Sequence, residues 1–164
     1  MKKKTIFTVI IALLTASSIY SQQTNNTDVA EVLKGKTINV IGDSYVANHK
    51  RPRSESWHSK LAQKYGMVYN NYGRNGGCVA SDRTKDGFGP SLMLRHKEMA
   101  KDADFILIIA GHNDAAKIGN SKDSLTIFAD SLNILLHSIK RNHPNAKISY
   151  ITGEEFNNQI LDAI

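Results

Sequence analysis

The sequence holds one cysteine among 164 residues, which excludes an internal disulfide. Cys78 closes a Gly-Gly-Cys turn, with no group nearby arranged to lower its pKa. It reads as a small, partly buried side chain, and a reactive thiol is the weaker account. Long apolar runs are missing too. The run from Ile6 to Ala16 is interrupted by Thr8 and Thr15 and falls short of the roughly 20 residues that cross a bilayer. No internal repeat, low-complexity tract or obvious linker is present. An excess of positive charge shrinks on inspection. The formal net charge is +6, yet the first 21 residues carry three lysines and no acid, which leaves 18 basic against 15 acidic residues. That balance is no nucleic-acid footprint, and the short Lys50-Arg51-Pro52-Arg53 stretch reads as a solvated loop. No pair of histidines or carboxylates has metal-ligand spacing. No glycine loop ends in Lys-Ser/Thr, and no Gly-x-Gly-x-x-Gly follows the first strand. Neither a metal, another cofactor nor a nucleotide is therefore expected. What remains, 41% apolar, 22% charged and 7% aromatic residues, suits one ordinary globular domain.

The N-terminus has the layout of a secretory signal peptide. Lys2, Lys3 and Lys4 precede the apolar run, and Ser17, Ser18 and Ser21 follow it. Cleavage is expected near Ser21, and no cysteine lies there to carry a lipid. The expected organisation is a signal peptide over 1–21, a leader over 22–35 and one domain over 36–164. The product is expected to be secreted or periplasmic, with no stable membrane span after cleavage.

From residue 36 onward strands alternate with helices. Thr37 to Ile41 reads as a buried strand. Ser54 to Tyr65 reads as a helix, with Ser54 as cap, Trp57 and Leu61 on one face and Gly66 as its end. Met67 to Tyr72 is a weaker strand, followed by a glycine-rich loop from Gly73 to Pro90. Leu92 to Ala100 is read as a helix. Phe105 to Ala110 is apolar throughout, as a strand covered on both faces should be. Leu125, Phe128, Leu132, Leu135, Leu136 and Ile139 recur at helical spacing in a long helix from about Asp123 to Arg141, stopped by Pro144. Lys147 to Thr152 is a fourth strand, and Glu154 to Ile164 opens another helix. The pattern predicts a parallel sheet with helices on both faces. Functional loops then gather at the carboxyl ends of the strands.

Three short motifs stand at those ends. Gly42-Asp43-Ser44 follows the first strand, Gly73-Arg74-Asn75-Gly76 the second, and Gly111-His112-Asn113-Asp114 the third. A serine at a sharp strand-to-helix turn exposes its hydroxyl. Glycines let a backbone N–H approach a ligand, and an asparagine can aim its amide at the same point. A hydroxyl nucleophile with converging donors is what acyl transfer needs. The attacked carbonyl oxygen becomes negative, and each pre-aimed donor contributes roughly 3 kcal/mol. Asp43 and Asp114 read as loop-organising side chains.

On these residues the chain resembles the SGNH (GDSL-type) hydrolase family. The resemblance implies a three-layer α/β/α sandwich with a parallel, flavodoxin-like sheet. It implies Ser44 as nucleophile and an oxyanion hole made by Ser44, Gly76 and Asn113, acting on a small-molecule or glycan ester. His112 and Arg74 fall where they could line a substrate pocket. One departure is plain: the family's Asp-x-x-His block supplies the base and its orienter, and no aspartate from Asp28 to Asp162 has a histidine three residues on. The domain is thus expected to be missing its C-terminal part, with the base lying beyond residue 164. His112 is the one histidine inside a matched block, and a pocket wall is the better account of it than a base. His49 and His58 follow the nucleophile too closely in sequence, and His96, His137 and His143 read as surface residues. Two functions fit: an exported serine ester hydrolase working through an acyl-serine, or a truncated, inactive relative that binds acylated glycans or is vestigial.

Overall fold

The structure, a computed structural model, describes residues 29–119 and 121–151. The signal peptide, the start of the leader, the loop after the fourth strand and the helix from Glu154 lie outside the described residues. The chain divides into two units, 1–34 and 35–164. Of the first, residues 29–33 are helical. The second holds β1 (Thr37–Gly42), α1 (Ser44–Ala47), α2 (Trp57–Lys64), β2 (Val68–Gly73), α3 (Leu92–Arg95), β3 (Phe105–Ile109), α4 (His112–Ile118), α5 (Lys122–Asn142) and β4 (Lys147–Ile151).

The four strands form one sheet in the order β2-β1-β3-β4, every neighbouring pair parallel. The sequence dictates which strands lie inside. β3 is apolar throughout and β1 is buried from Asn39 to Gly42, whereas β4 alternates between exposed and half-buried residues. Ile41, Ile106 and Ile108 point to one face, where Phe128, Leu132, Leu135 and Ile139 of α5 cover them. Val40, Leu107 and Ile109 point to the other and meet Val46 of α1. The result is a three-layer α/β/α fold. Each of the four buried α5 side chains contributes roughly 2 kcal/mol. Ser121 caps α5 by accepting from the Ser124 N–H at 3.2 Å, and Lys140 and Arg141 sit in its last turn, where they suit the helix dipole.

Three sequence expectations change. Ser56, not Ser54, caps α2, since Arg53 to Glu55 form a separate 3-10 turn. Trp57 and Leu61 do share a face, but it is the exposed one, and His58 and Ala62 are buried. The helix expected over Leu92 to Ala100 is one α-turn followed by a 3-10 turn from His96 to Glu98, ended by extended Met99. Among the described residues, no helix is long and apolar enough to cross a membrane.

Candidate active site

The site begins where β1 stops. The Asp43 N–H donates to the Ile109 carbonyl at 3.2 Å, and Asp43 Oδ1 accepts from the Tyr45 N–H at 2.9 Å. The carboxylate thereby caps α1. That helix lasts one turn and ends in two left-handed residues, Asn48 and His49, at φ 61° and 47°. Ser44 is its first residue and is half-buried. Its N–H points out of the helix start, and among the described residues it has no acceptor.

The second block is fastened to the first. The Arg74 N–H donates to the Gly42 carbonyl at 3.1 Å, and the Gly73 N–H to Asn71 Oδ1 at 2.9 Å. Gly76 has φ 68°, and a Cβ there would lie 2.3 Å from Phe88, so only glycine fits. The Gly76 carbonyl accepts from Arg83 Nη1 at 3.0 Å. Its N–H, like that of Ser44, has no acceptor among the described residues.

The third block joins both. Asn113 Nδ2 donates to the Gly77 carbonyl at 3.0 Å and reaches Asp43 Oδ2 at 3.4 Å, the latter near the outer limit of a hydrogen bond. Asp114 is buried and accepts from the Val79 and Ala80 N–H groups, both at 2.8 Å. Asp43 thus caps the turn it stands in, and Asp114 holds the distant loop at Val79 and Ala80. His112 stands edge-to-face with the exposed Tyr45 ring, 6.0 Å between centroids. Sequence reading placed the third block in a loop, yet His112 to Ile118 form α4. Gly111, at φ 118°, starts it.

Burial raises the Asp43 carboxyl to about 6, against 3.8 for an ordinary aspartate. The Tyr45 N–H and His112 oppose the rise, and Asp114 adds to it. The native protein then holds more protons than the unfolded chain between about pH 4 and pH 6. The resulting stability is present in acid and is lost as pH rises through that window, to a total of roughly 3 kcal/mol. Asp43→Asn keeps an acceptor for the Tyr45 N–H. In urea melts it should gain on the wild type from pH 4 to pH 7, by up to about 3 kcal/mol. A difference that does not vary with pH would contradict this account. Cys78 is buried, and burial is the main cause that pushes its thiol up to about 12. It is a packed side chain, as the turn implies.

Several contributors escaped the sequence. His58 is buried against Tyr69, whose hydroxyl lies 2.7 Å from His58 Nδ1. Asn71 Nδ2 donates both to that hydroxyl and to the Val46 carbonyl, at 2.7 and 2.8 Å. This chain ties α2 and β2 to the last turn of α1. Arg95 is buried, donates to the Tyr72 carbonyl and places Nη1 3.4 Å from where a Gly77 Cβ would be. Tyr150 of β4 donates to the Ala110 carbonyl at 2.8 Å. His96 and His143 are buried, contrary to the surface position expected for them, and His143 Nδ1 lies 2.9 Å from the Lys101 carbonyl. His137 is exposed as expected. Periodicity ranks apolar residues only, so it gives no signal for polar ones buried by a network.

The three strand ends are thus linked into one cluster at the carboxyl edge of the sheet. The model of the GDSL-like Lipase/Acylhydrolase family matches residues 40–160, and the chain belongs to that family. Solved structures share the fold. A protein from Lactobacillus plantarum is 25% identical, with TM-score 0.60, covering 76% of this chain and 59% of its own. A chain from Bacteroides uniformis designated GDSL-like lipase is 22% identical, with TM-score 0.63, covering 79% of this chain and 76% of its own. A family two carbohydrate esterase from Clostridium thermocellum, in complex with cellohexaose, is 18% identical, with TM-score 0.55, covering 77% and 46%. The chain therefore spans less than two thirds of the Lactobacillus plantarum protein. No curated protein matches it in sequence.

Proposed function

We propose that this protein is an exported serine hydrolase that cleaves an O-acyl or carboxylic ester through an acyl-serine on Ser44. The observation that carries the reading is a pair of backbone donors with no acceptor among the described residues, Ser44 N–H and Gly76 N–H, on blocks that the Asn113 amide and Asp114 lock together. Backbone donors that stand free at the same edge of the sheet as a serine hydroxyl, among the described residues, suit a ligand oxygen that becomes negative. Ser44 Oγ attacks the acyl carbon and gives its proton to a base. The two N–H groups hold the oxyanion, and Asn113 Nδ2 joins them by giving up its long, 3.4 Å contact to Asp43 Oδ2 while keeping its bond to the Gly77 carbonyl. Collapse releases the alcohol, which takes the proton back, and water then frees the acid from Ser44 by the reverse path. The family resemblance calls for a histidine of an Asp-x-x-His block as that base, and residues 1–164 hold no such block. The fold shared with a carbohydrate esterase makes an acylated glycan the favoured substrate.

Asn113→Ala tests the oxyanion hole in the full-length protein. It should lower kcat for acetyl ester hydrolysis by about 10²–10³, with a smaller change in KM. A raised KM at unchanged kcat would assign Asn113 to ground-state binding instead and contradict the proposed hole. A thermal melt separates this from any loosening of the Gly77 loop that Asn113 holds.

A further inference from the structure

Between the end of α1 and the second block lies an open cavity of about 590 Å³ that the catalytic reading leaves unused. Its lining includes Ala47, one helical turn after Ser44, and Gly73 and Asn75 of the second block. The rest of the wall is unusual in its charge. Arg51, Arg53, Arg74 and His49 all line it, and no carboxylate does. The Lys50-to-Arg53 stretch is exposed, as expected of a solvated loop, but it is anchored in place. Asn48 Nδ2 donates to the Pro52 carbonyl at 2.6 Å, and the Arg51 N–H to the Asn48 carbonyl at 2.9 Å. Arg53 is not free to swing away. Its Nη1 and Nη2 donate to the Asn71 and Gly73 carbonyls at 3.1 and 2.9 Å, on the end of β2.

Among the described residues, Arg51 and Arg53 pair with no carboxylate, whereas Arg74 pairs with Glu98 at 3.0 Å. Like charges brought together raise the energy of the fold unless an anion relieves them. Their effect reaches the buried Arg95, whose guanidinium burial lowers to about 10, with Arg74 and Arg53 adding to the fall and Glu98 opposing it. Phe88, 39% exposed, supplies an apolar wall under the Arg83 guanidinium, 4.2 Å from its ring centre. A ring wall with guanidinium groups suits a sugar face that carries an acidic group.

We propose that this cavity binds an anionic group, a carboxylate or a phosphate, on the ester substrate, with Arg51 and Arg53 as its principal partners. The inference deepens the hydrolase reading and rests on it for the word substrate. Arg53, fixed by two carbonyls, offers its remaining N–H groups in a set direction. Arg51 adds charge at the rim.

The test is equilibrium binding to the full-length Ser44→Ala protein, read by calorimetry. The probes are trigalacturonate against neutral maltotriose, and glucose 6-phosphate against glucose. At least one anion should bind about tenfold tighter than its neutral partner, and weaken by a similar factor from about 20 to about 200 mM salt. Preference for trigalacturonate identifies a carboxylated glycan, and preference for glucose 6-phosphate a phosphorylated one. Arg51→Glu should cost about tenfold in that affinity, and Arg53→Glu at least as much. Arg53→Glu also removes two bonds to β2, so the exposed Arg51→Glu carries the test if the former fails to fold. Neutral probes bound as tightly as their anionic partners, or anion binding indifferent to Arg51→Glu, would overturn the proposal. Because the nucleophile is absent from the protein used, a failure of ester hydrolysis and a failure of anion binding are separate results.

Discussion

Ser44→Ala in the full-length protein is expected to lower kcat for ester hydrolysis by about 10⁶, leaving the modest rate that a bare oxyanion hole gives. The size follows from chemistry. Without the hydroxyl there is no acyl-enzyme, and water must attack directly in a site not built to place it. The same substitution should barely move stability. Ser44 is half-buried, and among the described residues its hydroxyl makes no hydrogen bond. An intact melt with lost turnover therefore separates a chemical role from a structural one. Turnover unchanged by Ser44→Ala would remove the nucleophile from the proposed mechanism altogether.

Gly42→Ala is expected to do the opposite and strike the fold. A Cβ on Gly42 would stand 2.0 Å from the Ile109 carbonyl oxygen and 2.7 Å from Val46 Cγ2. The first is backbone of the central strand β3, so nothing flexible can yield. Relief requires β1 and β3 to part where the Asp43 N–H meets the same carbonyl. A cost above about 4 kcal/mol follows, outside the ordinary range for surface changes. The melting temperature should fall by about 10 °C or more, read by circular dichroism. A variant melting within a few degrees of wild type would show that the strands separate cheaply there. The glycine of the first motif is thus explained by packing.

Much of this was legible in the residues. The β-branched stretch from Thr37 to Ile41 and the apolar run from Phe105 to Ala110 predict the central strands, and the stripe from Leu125 to Ile139 predicts α5, because burial on a sheet demands those patterns. The three motifs fall at strand ends because parallel sheets put their loops there. Other features had no one-dimensional signal. Trp57 and Leu61 have the spacing of a buried face, yet the buried His58 gains Tyr69 as a partner and takes their place. α4 is short, begins on a left-handed glycine and carries few apolar residues, so no stripe announces it. Arg51 and Arg53 look like loop charges in sequence. Only the carbonyls of Asn71 and Gly73, some twenty residues away, give Arg53 its place.

The central claim is that acyl transfer passes through Ser44. The most direct measurement is rapid quenching of the full-length protein during turnover of a slow acyl ester, followed by mass spectrometry of its peptides. The account predicts one added acyl group on the peptide containing Gly42-Asp43-Ser44, appearing in a burst and absent from Ser44→Ala. Turnover with the acyl group on another residue, or with no acylated peptide at any time, would contradict it.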